Sequence, residues 1–385
     1  MTVLAVASIS ARMLAEAAAA DGFEVIALDL FGDADTRRAC TQWHSIGDAA
    51  SLRIDGARLL AALEALAQRG NVAGWIAGSG FEGLPDVLER CAALLPLIGT
   101  QGKAMRRLRD PTGFFAFLDS QEIAHPAVRT TAPEDASGWL VKDAHGCGGW
   151  HIRRAASQPG RAAVDALGAH HYFQRETPGK PMSATFIANG SDASVLGFNE
   201  LIVRPMAGLP FVFCGALGPV PLPDDAATNV TSALRALVPA FSLRGLGSLD
   251  FMLDGDAVSV LEVNPRPPAS MALYGRGIVA AHVRACVLGE LPQRPSLVAN
   301  DVPDGTGTVR GTEVVFAPRP LWVDESAALR LAARPGCHDL PNAGTGFEAG
   351  DPLCSVSASG ATAGHVRELL QRSRLAVHQS LEAFG

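Results

Sequence analysis

Residues 247–267, GSLDFMLDGDAVSVLEVNPRP, contain the side chains best suited to chemistry. Asp-Gly between two apolar runs predicts a β-hairpin. Asp250 lies on its first strand, and Glu262 and Asn264 lie two apart on the second, so both point to one face. Two carboxylates and an amide oxygen are ligands that Mg²⁺ prefers. The hairpin therefore predicts a metal site; a solvated ribbon is the alternative, for which its flanks are too apolar.

Positive charge for phosphate groups is predicted at two places. Arg266 points to the same face of the hairpin, where a guanidinium stabilises a phosphoryl group during transfer. Lys142 precedes a glycine-rich turn whose backbone N–H groups can close over phosphates. The turn is not a Walker A loop, since it lacks the G-K-[ST] ending and no helix follows. Glycine-rich hairpins are common, so this turn indicates a phosphate-binding site only in combination with the metal hairpin. Its glycines are Gly146, Gly148 and Gly149.

Two further segments favour binding roles. An apolar strand ends in Gln174, Arg175 and Glu176 before a Pro-Gly pair, which predicts a hinge that reads an adenine edge; an ordinary strand end is the alternative. The turn 78–83 matches the dinucleotide fingerprint G-x-G-x-x-G. It follows the third predicted strand instead of the first, and no carboxylate lies about 20 residues on. We interpret it as a tight or substrate-facing turn, with a dehydrogenase as the weaker alternative.

The elements that position these residues fall into three regions. Alternating strands and helices predict a doubly wound α/β domain, followed by a two-lobed α+β domain and a small, mostly β domain with a final helix at about 363–383. A proline-rich joint is expected at 292–307. The predicted limits are 1–105 for the first domain, 106–295 for the second (lobes about 106–179 and 180–295) and 300–385 for the third.

Composition excludes several classes of partner. The formal charge of -7 provides no footprint for nucleic acid or an anionic membrane. Seven scattered cysteines without a C-x-x-C pair fit free thiols in a reducing compartment. The start of the chain lacks a basic leading segment, and no apolar run is long enough to span a membrane. We expect a cytoplasmic protein with small-molecule partners.

In this order, the pieces resemble the ATP-grasp superfamily of ligases over most of the chain, most specifically in D…E-x-N-P-R. The resemblance implies that ATP lies between two lobes with Mg²⁺ (or Mn²⁺) bridging its phosphates. The residues it carries over are Asp250, Glu262 and Asn264 as metal ligands, Arg266 and Lys142 as phosphate-stabilising catalytic residues, Gly146, Gly148 and Gly149 as the lid, and Gln174, Arg175 and Glu176 as the hinge.

A narrower resemblance is to the predicted ATP-dependent carboligase group related to biotin carboxylase, with tyramine–glutamate ligase-like relatives in one-carbon cofactor biosynthesis (methanopterin and methanofuran types). It is carried by residues 10–37, GSGFEGLP, YFQRETPGKPMSATF and GDPLCSVSASG. It implies an ADP-forming carboxylate–amine ligase that acts through an acyl phosphate on an amino acid or small carboxylate, with a homodimer expected by analogy. The alternatives are an ATP- and bicarbonate-dependent carboxylase-like enzyme and a catalytically inactive nucleotide-binding regulator.

Two positions depart from the family pattern. Pro111 stands where many relatives have an early phosphate-binding lysine. Arg107, Arg109 or Lys103 are the candidates to replace it, and the alternative is that this early phosphate contact is missing. Pro181 stands where a ribose-binding glutamate often follows the hinge.

Overall fold

An open parallel sheet forms the N-terminal region. The structure, a computed structural model, describes residues 1–157, 168, 170–293 and 308–382, without the side chain of residue 382. The strands of this region are β1 (Val3–Ala7), β2 (Glu24–Asp29), β3 (Gln42–Ser45), β4 (Gly47–Asp48), β5 (Arg53–Ile54) and β6 (Val72–Ala77). The sheet has the order β3-β2-β1-β6, all parallel, and β4 pairs with β5 in a separate ribbon.

The helices of this region are α1 (Arg12–Ala20), α2 (Ala34–Ala39), α3 (Gly56–Arg69) and α4 (Pro85–Leu94). Helix α3 begins after Asp55, whose carboxylate accepts the N–H of Ala57 and of Arg58, and it ends at Gly70 in the left-handed conformation. The run GDADTRR at residues 32–38 is rich in turn-forming residues and predicts a turn, but most of α2 lies within it. Strand β3 is not predicted by the sequence. Both are short, so neither produces a clear hydrophobic period.

The first lobe of the middle region is a four-stranded antiparallel sheet with two helices before it. These elements are α5 (Gly102–Leu108), α6 (Pro111–Ser120), β7 (Val128–Arg129), β8 (Trp139–Asp143), β9 (Ile152–Arg154), a 3-10 turn (Ala155–Ser157) and β10 (His171–Arg175), with strand order β7-β10-β8-β9. Pro111 occupies the first turn of α6, where its missing N–H is not needed, and Asp110 caps that end through the N–H of Thr112.

An eight-stranded antiparallel sheet forms the rest of the molecule. Its strands are β11 (Lys180–Asn189), β12 (Ala193–Met206), β13 (Leu209–Val220), β14 (Arg244–Asp254), β15 (Ala257–Asn264), β16 (Val309–Phe316), β18 (Cys337–His338) and β20 (Pro352–Gly360), in the order β15-β14-β11-β12-β13-β16-β20-β18. The remaining elements are α7 (Asp224–Phe241), a 3-10 turn (Ala269–Leu273), α8 (Ile278–Val287), the paired strands β17 (Leu321–Val323) and β19 (Thr345–Phe347), α9 (Glu325–Ala332) and α10 (Ala363–Glu382).

This sheet crosses the predicted limit between the second and third domains. Strand β16 pairs with β13, so the C-terminal region extends the sheet of the second lobe. The domain limits stay a prediction. The final helix lies where it was expected, except that residue 383 is outside the described residues. Most of the proline-rich joint, residues 294–307, also lies outside them.

Strand β1 has a hydrophobic core on each face. Val3 and Ala5 belong to a cluster with α3, whereas Leu4 and Val6 belong to one that includes α1, α8 and β14. Because this second cluster is shared, the N-terminal sheet packs directly on the eight-stranded region and its strand ends are fixed relative to the hairpin β14–β15. Among the described helices, none combines the length and hydrophobicity that a membrane crossing needs.

Candidate active site

The hairpin β14–β15 brings the three predicted metal ligands together. Asp250 lies opposite Glu262, and Ser248 lies opposite Asn264. The Asn264 Nδ2 donates to Asp250 Oδ2 at 2.9 Å, and the Ser248 hydroxyl donates to Asp250 Oδ1 at 3.0 Å. Alternation along two antiparallel strands thus produces a cluster of oxygen atoms on one face.

Arg109, at the end of α5, binds this cluster. Its guanidinium donates to Glu262 Oε2 at 3.3 Å and to Asn264 Oδ1 at 3.1 Å, and its side chain is 7% exposed. Its Nε is buried and has no hydrogen-bond partner among the described residues. Of the three candidates to replace the early lysine, Arg107 lies 4.9 Å over the ring of Phe241 and Lys103 is exposed. Only Arg109 reaches the site.

Lys142, on β8, points into the space between the lobes. Its Nζ donates to Gln174 Oε1 at 3.1 Å, since β8 and β10 are neighbours. The Nε2 of Gln174 is buried without a partner among the described residues, so one donor of the predicted hinge is free. The other two hinge residues face outward in part: Glu176 pairs with Arg154, and Arg175 donates to the Ser137 carbonyl.

Arg266 is fixed by a residue that the sequence analysis missed. Its Nε donates to Glu82 Oε1 at 2.9 Å, and Glu82 is 1% exposed. Glu82 lies in the turn 78–83, interpreted above as tight or substrate-facing, and its Oε2 accepts the N–H of Gly80. No local sequence signal marks an ion pair between residues 184 positions apart.

The glycine-rich turn contacts the opposite lobe. The N–H of Phe213, on β13, donates to the Gly148 carbonyl at 2.9 Å. Gly148 and Gly149 have φ of +64° and +78°, and a Cβ on Gly149 would collide with the Phe211 carbonyl oxygen. Gly146 does not line the cleft; a Cβ there would overlap the ring of His151. The turn is therefore held across the cleft, with its glycines allowing the close approach.

Positively and negatively charged side chains lie close together at the site and shift the pKa values of one another. Burial works against ionisation of Glu262, but the positive charges of Arg109 and Lys142 outweigh it and lower the pKa. Burial and the charge of Glu262 raise the pKa of Asp250. Burial also disfavours charge on Lys142, yet its interaction with Tyr172 and the negative charge of Glu262 raise its pKa overall, so the lysine is protonated at neutral pH.

One cleft of about 1790 Å³ is lined by side chains of this site, but Arg109 and Glu82 are not among its lining residues. Those that line the cleft include Lys142, Gln174, Asp250, Glu262, Asn264 and Arg266. Its walls come from the hairpin, the glycine-rich turn, the hinge and the C-terminal ends of β1, β2 and β6. Residues 110–270 match a family model described as an ATP-grasp domain. The chain contains an ATP-grasp domain. The resemblance to ATP-grasp superfamily ligases is confirmed, as is the mixed α/β and α+β fold class.

The whole chain, beyond the ATP-grasp domain, has the fold of several solved structures. Biotin carboxylase from Campylobacter jejuni has 13% identity and a TM-score of 0.69 over 96% of this chain and 90% of that one. An L-amino acid ligase from Bacillus licheniformis has 13% identity and a TM-score of 0.68, with 97% of each chain covered. N5-carboxyaminoimidazole ribonucleotide synthetase from Thermotoga maritima has 14% identity and a TM-score of 0.64, covering 97% and 98%. Among curated proteins, no sequence matches the chain.

The donor atoms fit a magnesium nucleotide. Asp250, Glu262 and Asn264 supply hard oxygens, and Arg109 already places a positive charge against two of them. The unpartnered Nε2 of Gln174, a residue of the cleft wall, is a further buried donor. A negatively charged, oxygen-rich ligand with its cation complements both sets.

Proposed function

We propose that the protein is an ATP-dependent, ADP-forming ligase that joins a carboxylate to an amine through an acyl phosphate. The observation that carries the proposal is the convergence of Asp250, Glu262 and Asn264 in one cleft with Lys142 and Arg266, inside an ATP-grasp domain. In this reaction a carboxylate oxygen attacks the γ-phosphorus and ADP leaves. The amine nitrogen then attacks the acyl carbon, loses a proton, and phosphate leaves.

The chain's own residues have distinct parts in this chemistry. Asp250, Glu262 and Asn264 would hold Mg²⁺ or Mn²⁺, which neutralises phosphate charge when bound. Lys142, oriented by Gln174, and Arg266, oriented by Glu82, would stabilise the transferring phosphoryl group. The turn 146–149 would exclude water from the acyl phosphate. Gln174, Arg175 and Glu176 would form the adenine side of the cleft.

Arg109 would supply the early phosphate contact that Pro111 cannot. It is the charged residue of α5 at the metal-ligand oxygens, and its guanidinium is held in place by two of them. A guanidinium also matches a phosphate in bidentate geometry.

The acyl substrate would be an amino acid or small carboxylate. A place in one-carbon cofactor biosynthesis, a homodimer and a cytoplasmic location remain proposals supported by resemblance and composition alone. The structural likeness to a biotin carboxylase keeps one alternative, activation of bicarbonate, as an outcome of the test below.

Nucleotide product analysis tests the proposal. Purified protein, Mg²⁺ and ATP are incubated with pooled amino acids and amines, with and without bicarbonate, and ADP, AMP and phosphate are quantified. ADP and phosphate formed only with the carboxylate and amine pools support the ligase. Dependence on bicarbonate replaces it with the carboxylase-like reaction. AMP with pyrophosphate contradicts it, and tight ATP binding without turnover favours the inactive regulator.

A further inference from the structure

A second group of charged residues lies in the same cleft, at the C-terminal ends of β1 and β2. It contains four aspartates and one arginine, and the C-terminal region closes over it. Its members are Arg12, Asp29, Asp33, Asp35 and Asp339. This group lies outside the nucleotide machinery described above.

Three of the four aspartates have full sets of partners. Asp339 accepts two hydrogen bonds of 3.0 Å from the guanidinium of Arg12. Asp35 accepts the N–H of Asp339 and of Leu340, at 2.8 and 3.0 Å. Asp29 accepts two backbone N–H groups and the indole N–H of Trp43. These carboxylates hold the fold together.

Asp33 differs from its neighbours. It lines the cleft and is 9% exposed, yet among the described residues no hydrogen bond or ion pair reaches its carboxylate. Burial, reinforced by the charges of Asp339 and Asp29, raises its pKa to about 8. The positive charge of Arg12 offsets this increase only in part and is already paired with Asp339. A positively charged ligand would therefore stabilise the ionised Asp33 carboxylate in the cleft wall.

The available donors favour an ammonium group over a metal ion. Divalent cations need several oxygen ligands, but Asp33 is the single carboxylate here whose oxygens are free among the described residues. An ammonium needs one carboxylate and neutral acceptors. The side chains of Ser8 and Ser10, at the end of β1, line the same cleft and supply hydroxyl oxygens.

The strand order places Asp33 and Glu82 at the same edge of the N-terminal sheet. Asp33 follows β2, and Glu82, which holds Arg266, follows β6; β1 lies between these two strands. Strands β2 and β6 are therefore about 10 Å apart, which is two strand spacings and is on the scale of a small molecule. Small ligands bind at the C-terminal ends of strands in open α/β sheets. The residues that directly follow the three strands, Ser8, Leu30 and Gly78, line this cleft.

We propose that Asp33 binds the ammonium group of the acyl substrate, so that the carboxylate activated by the proposed ligase belongs to an amino acid. An ammonium paired with a carboxylate has no free lone pair, so this group is an anchor and not the reacting amine. The inference rests on the proposed function for the identity of the reaction, but not for the binding of the ligand.

The test measures binding and turnover separately. Wild-type protein, Asp33→Asn and the control Asp48→Asn, which removes an exposed carboxylate of the same cleft, are titrated with each of the twenty L-amino acids and with its N-acetyl derivative. Binding is followed calorimetrically with Mg²⁺ and a non-hydrolysable ATP analogue present. ADP release is measured with Mg²⁺–ATP and hydroxylamine as the amine.

We expect wild type to bind at least one amino acid and not its N-acetyl derivative. Asp33→Asn should weaken that binding about tenfold to a hundredfold, the usual loss for a charged hydrogen bond, without changing the affinity for the nucleotide. Asp48→Asn should bind as wild type does. Because Asp33→Asn removes an unpaired buried charge, its melting temperature at pH 8.5 should equal or exceed that of wild type.

Three results overturn the inference: no amino acid binds, the N-acetyl derivative binds equally well, or Asp33→Asn binds as wild type does. A lower melting temperature of Asp33→Asn would show a structural role instead. Asp33-dependent binding without ADP release would leave this inference standing and remove the ligase reaction.

Discussion

At the scale of single residues, the two hairpin carboxylates form the centre of the predicted metal site. Asp250 and Glu262 are partly exposed to the cleft, and their partners are other polar groups of the site. Asp250→Asn and Glu262→Gln keep shape while removing the charge on which a metal ion depends. We expect kcat to fall about 10²–10³-fold in both variants. Asp250→Asn should keep the wild-type melting temperature, whereas Glu262→Gln should lower it, because the buried Arg109 loses its ion-pair partner. Asp256→Asn, in the exposed hairpin loop, is the matched control; full activity of either site variant would contradict the metal assignment.

Arg109 and Arg107 form a natural pair for a second experiment, since they lie two residues apart on and beside the same helix. Arg109 contacts Glu262 and Asn264, whereas Arg107 lies against Phe241. We expect Arg109→Met to reduce kcat/KM for ATP at least about tenfold, because a phosphate contact is lost. Arg107→Met should leave it within about twofold. Steady-state kinetics with varied ATP concentration measures both variants. Equal losses of kcat/KM in the two variants would mean that Arg109 does not contact a phosphate.

At the residue scale, prediction succeeded for side chains that are close together in the sequence. The convergence of Asp250, Glu262 and Asn264 follows from strand alternation and one turn. The contacts of Arg109 and Glu82 join residues more than 150 positions apart, and nothing in the local pattern encodes such pairs.

At the scale of elements, the glycine-rich turn depends on close backbone approach. Gly149 and Gly208 share φ near +78°, but only Gly149 lies against backbone of the other lobe, whereas the space around Gly208 is open. Alanine at either position costs about 1–2 kcal/mol of backbone strain. Gly149→Ala should in addition prevent contact with β13 and lower kcat about tenfold or more.

The comparison of kcat and melting temperature isolates this effect. Gly149→Ala should lose at least as much stability as Gly208→Ala, and Gly208→Ala should keep wild-type kcat. If the two variants lose kcat equally, the strain and not the contact with Phe211 is responsible.

Elements with strong local signals were predicted well. The sequence predicts helices at about 57–68 and at 85–94. Helix α4 has the second pair of limits, and α3 extends the first by one residue at each end. Helices α8 and α9 were not anticipated. They are ten and eight residues long, and their apolar faces complete cores formed by distant strands.

At the scale of the whole molecule, pairing between distant segments was not predictable. Strand β16 pairs with β13, so one sheet crosses the predicted limit between the second and third domains. Strand partners are determined by tertiary packing, which the local sequence does not specify. The same long-range packing brings the ends of β1 and β2 to the nucleotide cleft.

His282 connects these parts and produces a dependence of stability on pH. It is buried on α8; its Nδ1 accepts the N–H of Leu246 at 2.8 Å, and its Nε2–H donates to the Ile98 carbonyl at 2.9 Å. Burial lowers its pKa from 6.5 to about 4. The neutral ring is therefore favoured in the folded state, and its contribution is complete above pH 6.5.

As pH falls from 6.5 towards 4, the unfolded chain binds a proton that the folded protein excludes, so stability is lost. From the two pKa values, the loss between pH 7.5 and pH 5.0 is about 2 kcal/mol. Chemical unfolding at both pH values measures it. His282→Gln should be less stable at pH 7.5 but should lack this share of the pH dependence, since glutamine does not titrate. If the free energy of unfolding of the variant differs between the two pH values as much as that of wild type, other groups cause the pH dependence. The contacts of α8 with Ile98 and Leu246 would then not depend on a neutral imidazole.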